Sequence, residues 1–432
     1  YTVVKILALL VEQALARHGV PPHITLVAPT GKAATRLEES IKGAKAGLVC
    51  TDAVRDAIVD KASTIHRCLG SIGGSGTVFR HDKNTPLVTD VVLVDEASMV
   101  NLGLMRRLVD ALPPGARLIL LGDMDQLASV EAGAVLGDIC NTGERGHYSK
   151  AFTADMSALT GQTLNADAAA PAEPGIWDCV AKLHKSYRYK GESGISELAK
   201  AINRGDADGA LEVFARFEDV SLVAPGEPGQ LSQSLRDAAV EGYSQYMNPA
   251  SPKERLQAFD AFRVLCARRT GPFGVEAMNA NLAAALSERG MLSTAGDFYA
   301  GRPIMITSND YELGLFNGDV GLILPDDDGA SLRAYFVGPD GSQRTFTPSR
   351  LGHHETVFAM SVHKSQGSEF DHVAVVLPDQ PSRVLTRELI YTAVTRAKKS
   401  VVIHGTAKIL GQAIALRTVR KSGLRAALWG QV

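Results

Sequence analysis

The sequence predicts an α/β protein built on two parallel sheets, with a small antiparallel β insert in its second half. Three observations lead there. Short continuous apolar runs, each bounded by a polar or glycine-containing cluster, read as strands buried on both faces. Helical patterns separate many of these runs, which is the α/β alternation. The texture then changes over residues 302–351, where turn signals at Asn317-Gly318-Asp319, residues 326–329 and Pro339-Asp340-Gly341 separate short β-type runs.

The chain opens on a helical pattern, with Val3, Val4, Ile6, Leu7, Leu10 and Val11 recurring as one helix face. No cap residue stands before it, so Tyr1 is expected to follow further native chain. Three strand candidates come next: His23-Ile-Thr-Leu-Val-Ala28, Val91-Val-Leu-Val-Asp95 and Arg117-Leu-Ile-Leu-Leu-Gly122. Gly73, Gly74 and Gly76 mark the tip of a small insert between the first two. Residues 165–175, rich in Ala, Gly, Pro and Asp, read as a loop. Beyond it lie Phe262-Arg-Val-Leu-Cys266, Val373-Ala-Val-Val-Leu377 and Ser400-Val-Val-Ile-His404.

Composition narrows the function classes. A length of 432 residues suggests roughly three domains. Hydrophobic residues at 45% and charged residues at 21% argue against disorder. Lys+Arg of 45 against Asp+Glu of 47 gives a net charge of -2, which excludes a uniformly basic binder but leaves room for a local basic groove. No run of about 18 apolar residues occurs, so no membrane span is expected. Cys50, Cys68, Cys140, Cys179 and Cys266 are scattered without a Cys-x-x-Cys pair, so neither a disulfide framework nor a zinc site is indicated. With no signal peptide, a reduced, cytoplasmic setting fits.

In parallel sheets ligands bind where strands end, so the polar clusters there are the candidate sites. The second run delivers Asp95 and Glu96 side by side. Phosphoryl transfer needs an acid to hold Mg²⁺ and a group to orient or deprotonate water, roles that suit Asp95 and Glu96 respectively. The same pattern also fits a strand running into an acidic helix start. The third run ends Gly122-Asp-Met-Asp-Gln126-Leu127, where Gln126 suits sensing of a γ-phosphate and a side-chain-stabilised turn is the other reading.

Ala28-Pro29-Thr30-Gly31-Lys32-Ala33 invites a phosphate-loop reading, which fails. Leu26 stands where the first glycine is needed and Ala33 replaces the hydroxyl residue. Gly-Lys at a helix start still suits a nucleic-acid phosphate. In the second half, His363-Lys-Ser-Gln-Gly367-Ser-Glu369-Phe370 combines hydroxyls, a lysine and a glycine in a loop. Tyr391-Thr-Ala-Val-Thr-Arg396 ends a helix-like segment on a base that can also serve its own carbonyls. Ser186-Tyr-Arg188-Tyr189 places an arginine between aromatic rings.

In this order the clusters resemble the motifs of superfamily 1 helicases of the 5′→3′ branch, and in particular the RecD family (exodeoxyribonuclease V alpha chains). The most specific stretches are Val27-Ala-Pro-Thr-Gly-Lys-Ala-Ala34, Val94-Asp-Glu-Ala-Ser-Met99 and residues 122–136. Lys185-Ser-Tyr-Arg188, Leu315-Phe-Asn-Gly-Asp319, Val362-His-Lys-Ser-Gln-Gly-Ser-Glu-Phe370 and Tyr391-Thr-Ala-Val-Thr-Arg-Ala397 complete the set.

The resemblance implies two RecA-like motor domains holding ATP and Mg²⁺ between them. The first would cover residues 1–183, with a small insert around 60–82. The second would cover 184–432, with an SH3-like β insert at about 302–352. Asp95 and Glu96 would be the Mg²⁺-holding and water-activating pair, Gln126 the γ-phosphate sensor, and Arg188 and Arg396 the arginine fingers. Gly367 and Glu369 would lie near the nucleotide. Pro29, Thr30, Lys32, Thr64, His66, His363, Lys364 and Ser365 would line a single-strand track. The family's Walker A loop would lie immediately before Tyr1, and its N-terminal domain earlier still.

The resemblance therefore implies an ATP-driven 5′→3′ DNA helicase acting on DNA ends with RecB-like and RecC-like subunits in double-strand-break repair. No nuclease constellation of acids and lysine is evident, so cleavage would belong to another subunit. A non-motor DNA-binding or scaffolding subunit, and a stand-alone RecD-like helicase, remain the alternatives.

Overall fold

The computed structural model describes residues 2–72, 78–128, 133–140, 148–162, 170–183, 192–248, 251–310, 312–326, 328–329, 331–338, 341–418 and 422–429. Its strands in chain order are β1 (Ile24–Ala28), β2 (Ala62–Thr64), β3 (Val91–Val94), β4 (Arg117–Leu120), β5 (Val220–Val223), β6 (Phe262–Cys266), β7 (Pro303–Ile306), β8 (Val320–Pro325), β9 (Leu332–Val337), β10 (Gln343–Phe346), β11 (His354–Thr356), β12 (Ala359–Ser361), β13 (Phe370–Val376) and β14 (Ala397–His404).

They form three sheets. The first runs β2-β1-β3-β4 and is parallel throughout. The second runs β12-β6-β13-β14-β5 and is also parallel. The third, β10-β9-β8-β7-β11, is antiparallel, as the turn signals predict, and continues to Thr356. The fold is thus two parallel α/β layers with an antiparallel sheet between β6 and β12 in the chain.

The apolar runs have the two-sided burial that parallel sheets require. Leu26 and Leu93 pack with Leu7 and Val11 of helix Thr2–His18 and with Leu37 and Ile41 of helix Gly31–Ala46. Val27, Val92 and Val94 point the other way, into a cluster with Met105 and Leu108 of helix Leu102–Asp110. In the second sheet all five residues of β6 are buried. One of them is Arg263, whose guanidinium is held by Asp260, the Val357 carbonyl and the ring of Phe259, 4.0 Å away. Burial of a charge is tolerated only with such partners.

Three strands escape the sequence pattern: β2, β5 and β12. All are sheet edges. An edge strand has a single neighbour and need not be apolar on both faces, so Ala62-Ser-Thr64 carries no hydrophobic signal.

His404 closes β14 with 1% of its surface exposed. Its Nδ1 lies 3.4 Å from Ser232 Oγ, while Nε2 has no hydrogen-bond partner among the described residues. Burial pushes the imidazole down to about 4 from an ordinary 6.5. The unfolded chain therefore takes up the proton first. Stability is whole above pH ~6.5 and falls as pH drops toward ~4, by at most roughly 3 kcal/mol. Melting curves should show the parent losing more between pH 7 and pH 4.5 than His404→Phe; equal losses would contradict this role.

Candidate nucleotide cleft and strand track

The candidate residues of the first sheet sit beyond strand carboxyl ends. Asp95 and Glu96 follow β3, Gln126 follows β4, Pro29 and Thr30 follow β1, and Thr64 ends β2. In the second sheet Gly367 and Glu369 precede β13 and Arg396 precedes β14. Those residues stand at strand amino ends, and backbone pairing joins them: Phe370 N donates to Arg396 O.

The acidic turn is tightly built. Asp95 N donates to Val27 O and Ala97 N to Leu121 O, which pins the turn to β1 and to the end of β4. Glu96 N donates to Asp95 Oδ1 at 3.0 Å. Glu96 has φ of 50°, and among the described residues it alone has a positive φ without being glycine. Such a conformation costs roughly 1–2 kcal/mol for a residue with a Cβ, and strain of this kind gathers at functional sites. Gly122 makes the fit possible. A Cβ there would lie 2.7 Å from Leu136 Cδ2 and 3.1 Å from the backbone nitrogens of Ala97 and Ser98.

Both carboxyls are pushed above their ordinary range. Burial is the main cause for each, and the Asp95 charge adds to it for Glu96. Arg396 and Arg36 pull Glu96 back toward ionisation. The guanidinium of Arg396 therefore bears electrostatically on Glu96 of the first sheet. It is 3% exposed and donates from Nε to Thr392 O and from Nη1 to Ser368 O, both at 3.2 Å. Arg188, the other candidate finger, lies outside the described residues.

The loop after β4 is stitched to the second sheet. Gln126 Nε2 and Tyr391 Oη both donate to Asp123 Oδ2, at 3.1 and 2.9 Å. Leu127 N donates to Thr392 Oγ1, and Gln366 Nε2 to Leu127 O. Gln126 thus holds a group that answers to both sheets, while its Oε1 is buried with no partner among the described residues. Ser98 Oγ and Ser368 Oγ are in the same condition. Ser98 lies two residues beyond Glu96, Ser368 offers its carbonyl to Arg396 and Gln126 is tied to Asp123, so the orphaned atoms belong to the loops that carry the candidate acids and the base.

Asp123, Gln366, Tyr391 and Thr392 were not singled out by the sequence reading, although each falls inside a motif string quoted above. Arg36 was missed altogether. It lies one turn beyond Gly31-Lys32, donates from Nη1 to Gly367 O at 2.5 Å, and places Nη2 3.5 Å from Glu369. Lys398 Nζ reaches the same Glu369 oxygen at 3.9 Å.

The strand-track candidates form a second group. Thr30 and Thr64 are N-caps, accepting from Ala33 N and Arg67 N. His66 lies against Phe79, with ring centroids 5.8 Å apart. Phe316 of the antiparallel sheet's connecting loop packs on Gly31, 3.4 Å from where a Cβ would be. Lys32 is held below the ordinary lysine range by burial, against the opposing pull of Asp260 and Asp319. Lys364 donates to Asn317 Oδ1 at 2.6 Å and is likewise lowered by burial. His363 and Pro29 are half-buried. Ser365 departs from expectation. Its side chain is fully buried and donates to Val362 O, so the hydroxyl closes its own turn rather than facing a strand.

Comparison with known proteins is decisive for the family. The RecBCD enzyme subunit RecD of Mycobacterium tuberculosis is 41% identical over 433 residues, covering 98% of this chain and 68% of the relative. The chain belongs to the RecD family. RecD relatives extend to the ATP-dependent RecD2 DNA helicase of Deinococcus radiodurans, 31% identical over 89% of this chain and 43% of that protein. An AAA domain family model matches residues 1–132 of this chain and a UvrD-like helicase C-terminal domain model matches residues 356–404. Among solved structures, Bacteroides Pif1 bound to ssDNA aligns over 94% of this chain and 87% of its own, at 15% identity and a TM-score of 0.44. Among the described residues no helix is long and apolar enough to cross a membrane.

Proposed function

We propose that the chain is the ATP-driven motor of a RecBCD-type complex, a 5′→3′ DNA translocase and helicase that works on DNA ends beside RecB-like and RecC-like subunits in the cytoplasm. The observation that carries this reading is the joining of the two halves at the acidic loops: Gln126 and Tyr391 both donate to Asp123, Leu127 bonds Thr392 and Gln366, and Arg396, held beside Ser368, bears electrostatically on Glu96. A cleft with acids on one wall and a guanidinium on the other is what hydrolysis of a nucleoside triphosphate requires.

Two motor domains divided near residue 183 accord with the separate parallel sheets. Asp95 is the residue to hold Mg²⁺. Among the described residues no group of three or more acidic, His or Cys side chains offers a protein-only cage. Asp95, buried beside Glu96, suits a magnesium ion that would take most of its ligands from water and phosphate. That ion, when bound, neutralises charge on the phosphate oxygens. Glu96 orients the attacking water and accepts its proton. Gln126, tied to Asp123 and with its Oε1 unpartnered among the described residues, senses the γ-phosphate. Arg396, with Arg188, stabilises the charge that develops on the transferring group. Glu369 and the turn at Gly367, whose carbonyl is held by Arg36, border the nucleotide.

Pro29, Thr30, Lys32, Thr64, His66, His363 and Lys364 follow β1, β2 and β12 and line the single-strand track. Backbone donors, half-buried lysines and His66 beside Phe79 supply phosphate contacts and stacking, the latter about 1–3 kcal/mol per base. Closing and opening of the cleft with nucleotide would advance the strand through differential affinity. Higher identity and coverage for the RecD subunit than for RecD2 supports the subunit reading over a stand-alone helicase.

The test uses the full-length protein with forked DNA bearing either a 5′ or a 3′ single-stranded tail. ATP-dependent unwinding from the 5′ tail alone is expected, with strand affinity falling as salt rises. Unwinding from the 3′ tail, or strand binding without ATP turnover, would overturn the motor reading.

A further inference from the structure

Helix Gly31–Ala46 touches both sites. Its first turn lies on the strand track, with Thr30 as cap and Gly31 under Phe316. One turn on, Arg36 reaches 331 residues along the chain to the carbonyl of Gly367 and to Glu369. Gly367 has φ of +69°, and a Cβ there would sit 3.9 Å from Ala33 Cβ, so the helix packs directly on this turn. Arg36 also bears electrostatically on Asp95 and Glu96, the acids of its own sheet. Glu369, its partner, is shared with Lys398, two residues beyond Arg396.

We propose that Arg36 is the positioning residue that couples the strand track to the nucleotide cleft, by anchoring the strand-facing helix to the Gly367–Glu369 turn. The inference rests on the motor reading above. A guanidinium suits the task because its planar fork serves a carbonyl and a carboxylate at once, whereas an ammonium is a single point of charge. The Arg36 and Glu369 side chains are 36% and 21% exposed. A pair so placed adds little to stability. Its weight falls on how the two walls of the cleft move together. When nucleotide draws the walls in, the helix start moves with the turn, and strand affinity changes.

The experiment measures affinity of the full-length protein for a fluorescent single-stranded oligonucleotide, by anisotropy, without nucleotide and with ADP plus aluminium fluoride. In the parent, nucleotide should shift the dissociation constant by a factor of about 5–150. In Arg36→Met that factor should collapse to within about twofold of one, while nucleotide-free affinity stays within about threefold of the parent. Melting temperature should stay within a few degrees. Arg36→Lys should recover part of the coupling. An Arg36→Met variant that keeps the parent's factor overturns the proposal. So does one that loses strand affinity and melting temperature together, since Arg36 would then be a structural strut. A parent that turns over ATP on DNA but shows no coupling removes this inference and leaves the motor; a parent that does neither removes both.

Discussion

Arg396→Ala should lower DNA-stimulated ATP turnover by about 10³–10⁵, the range typical of an arginine finger. At one decade per 1.36 kcal/mol, that is roughly 4–7 kcal/mol of barrier. The effect should lie in kcat, because the guanidinium meets charge that exists only as the phosphoryl group transfers. ATP affinity should weaken by no more than about tenfold. Arg396 also has a resting use, donating to Thr392 O and Ser368 O from a position 3% exposed. Alanine leaves both carbonyls without that donor and opens a void, so some loss of melting temperature is expected. Arg396→Lys separates the two effects. It restores charge and bulk but not the fork, so stability should return while turnover stays at least about 10²-fold down. Turnover in Arg396→Lys within threefold of the parent would show that the fork is not used in the reaction.

Glu96→Gln should reduce turnover by about 10²–10⁴, the contribution of a well-placed general base. The amide is nearly isosteric, so the φ of 50° and the Glu96 N–H to Asp95 bond survive the exchange. Removing a buried carboxylate beside Asp95 also relieves a like-charge contact. The variant should therefore fold at least as well as the parent and bind nucleotide and single strand normally. Loss of turnover with intact binding is the signature expected. Full turnover would move the base to another residue, and lost strand binding would make Glu96 part of the track.

Much of this was legible in the sequence, because the two-sided burial of central parallel strands leaves long apolar runs. β1, β3, β6, β13 and β14 announce themselves that way, the edge strand β4 is legible only because its Leu118-Ile-Leu-Leu121 run happens to be apolar, and Asp95, Glu96 and Gln126 follow as the polar residues that interrupt these runs. The edge strands β2, β5 and β12 give no such signal, for the reason their position dictates. Contacts across the cleft were harder to read. Arg36 meets Gly367, and Leu127 meets Thr392 and Gln366, over separations of more than 200 residues, which no local periodicity encodes. Ser365 shows the opposite error. A hydroxyl in a polar loop reads as a phosphate ligand until burial shows it bonded to its own turn.

The most direct measurement is a structure of the full-length protein with ADP, Mg²⁺, aluminium fluoride and a single strand. The account predicts that Glu96 and the Arg396 guanidinium both reach the fluoride group, with Asp95 on the metal side. A nucleotide bound in that state with Arg396 still committed to the Thr392 and Ser368 carbonyls and turned from the fluoride would contradict it.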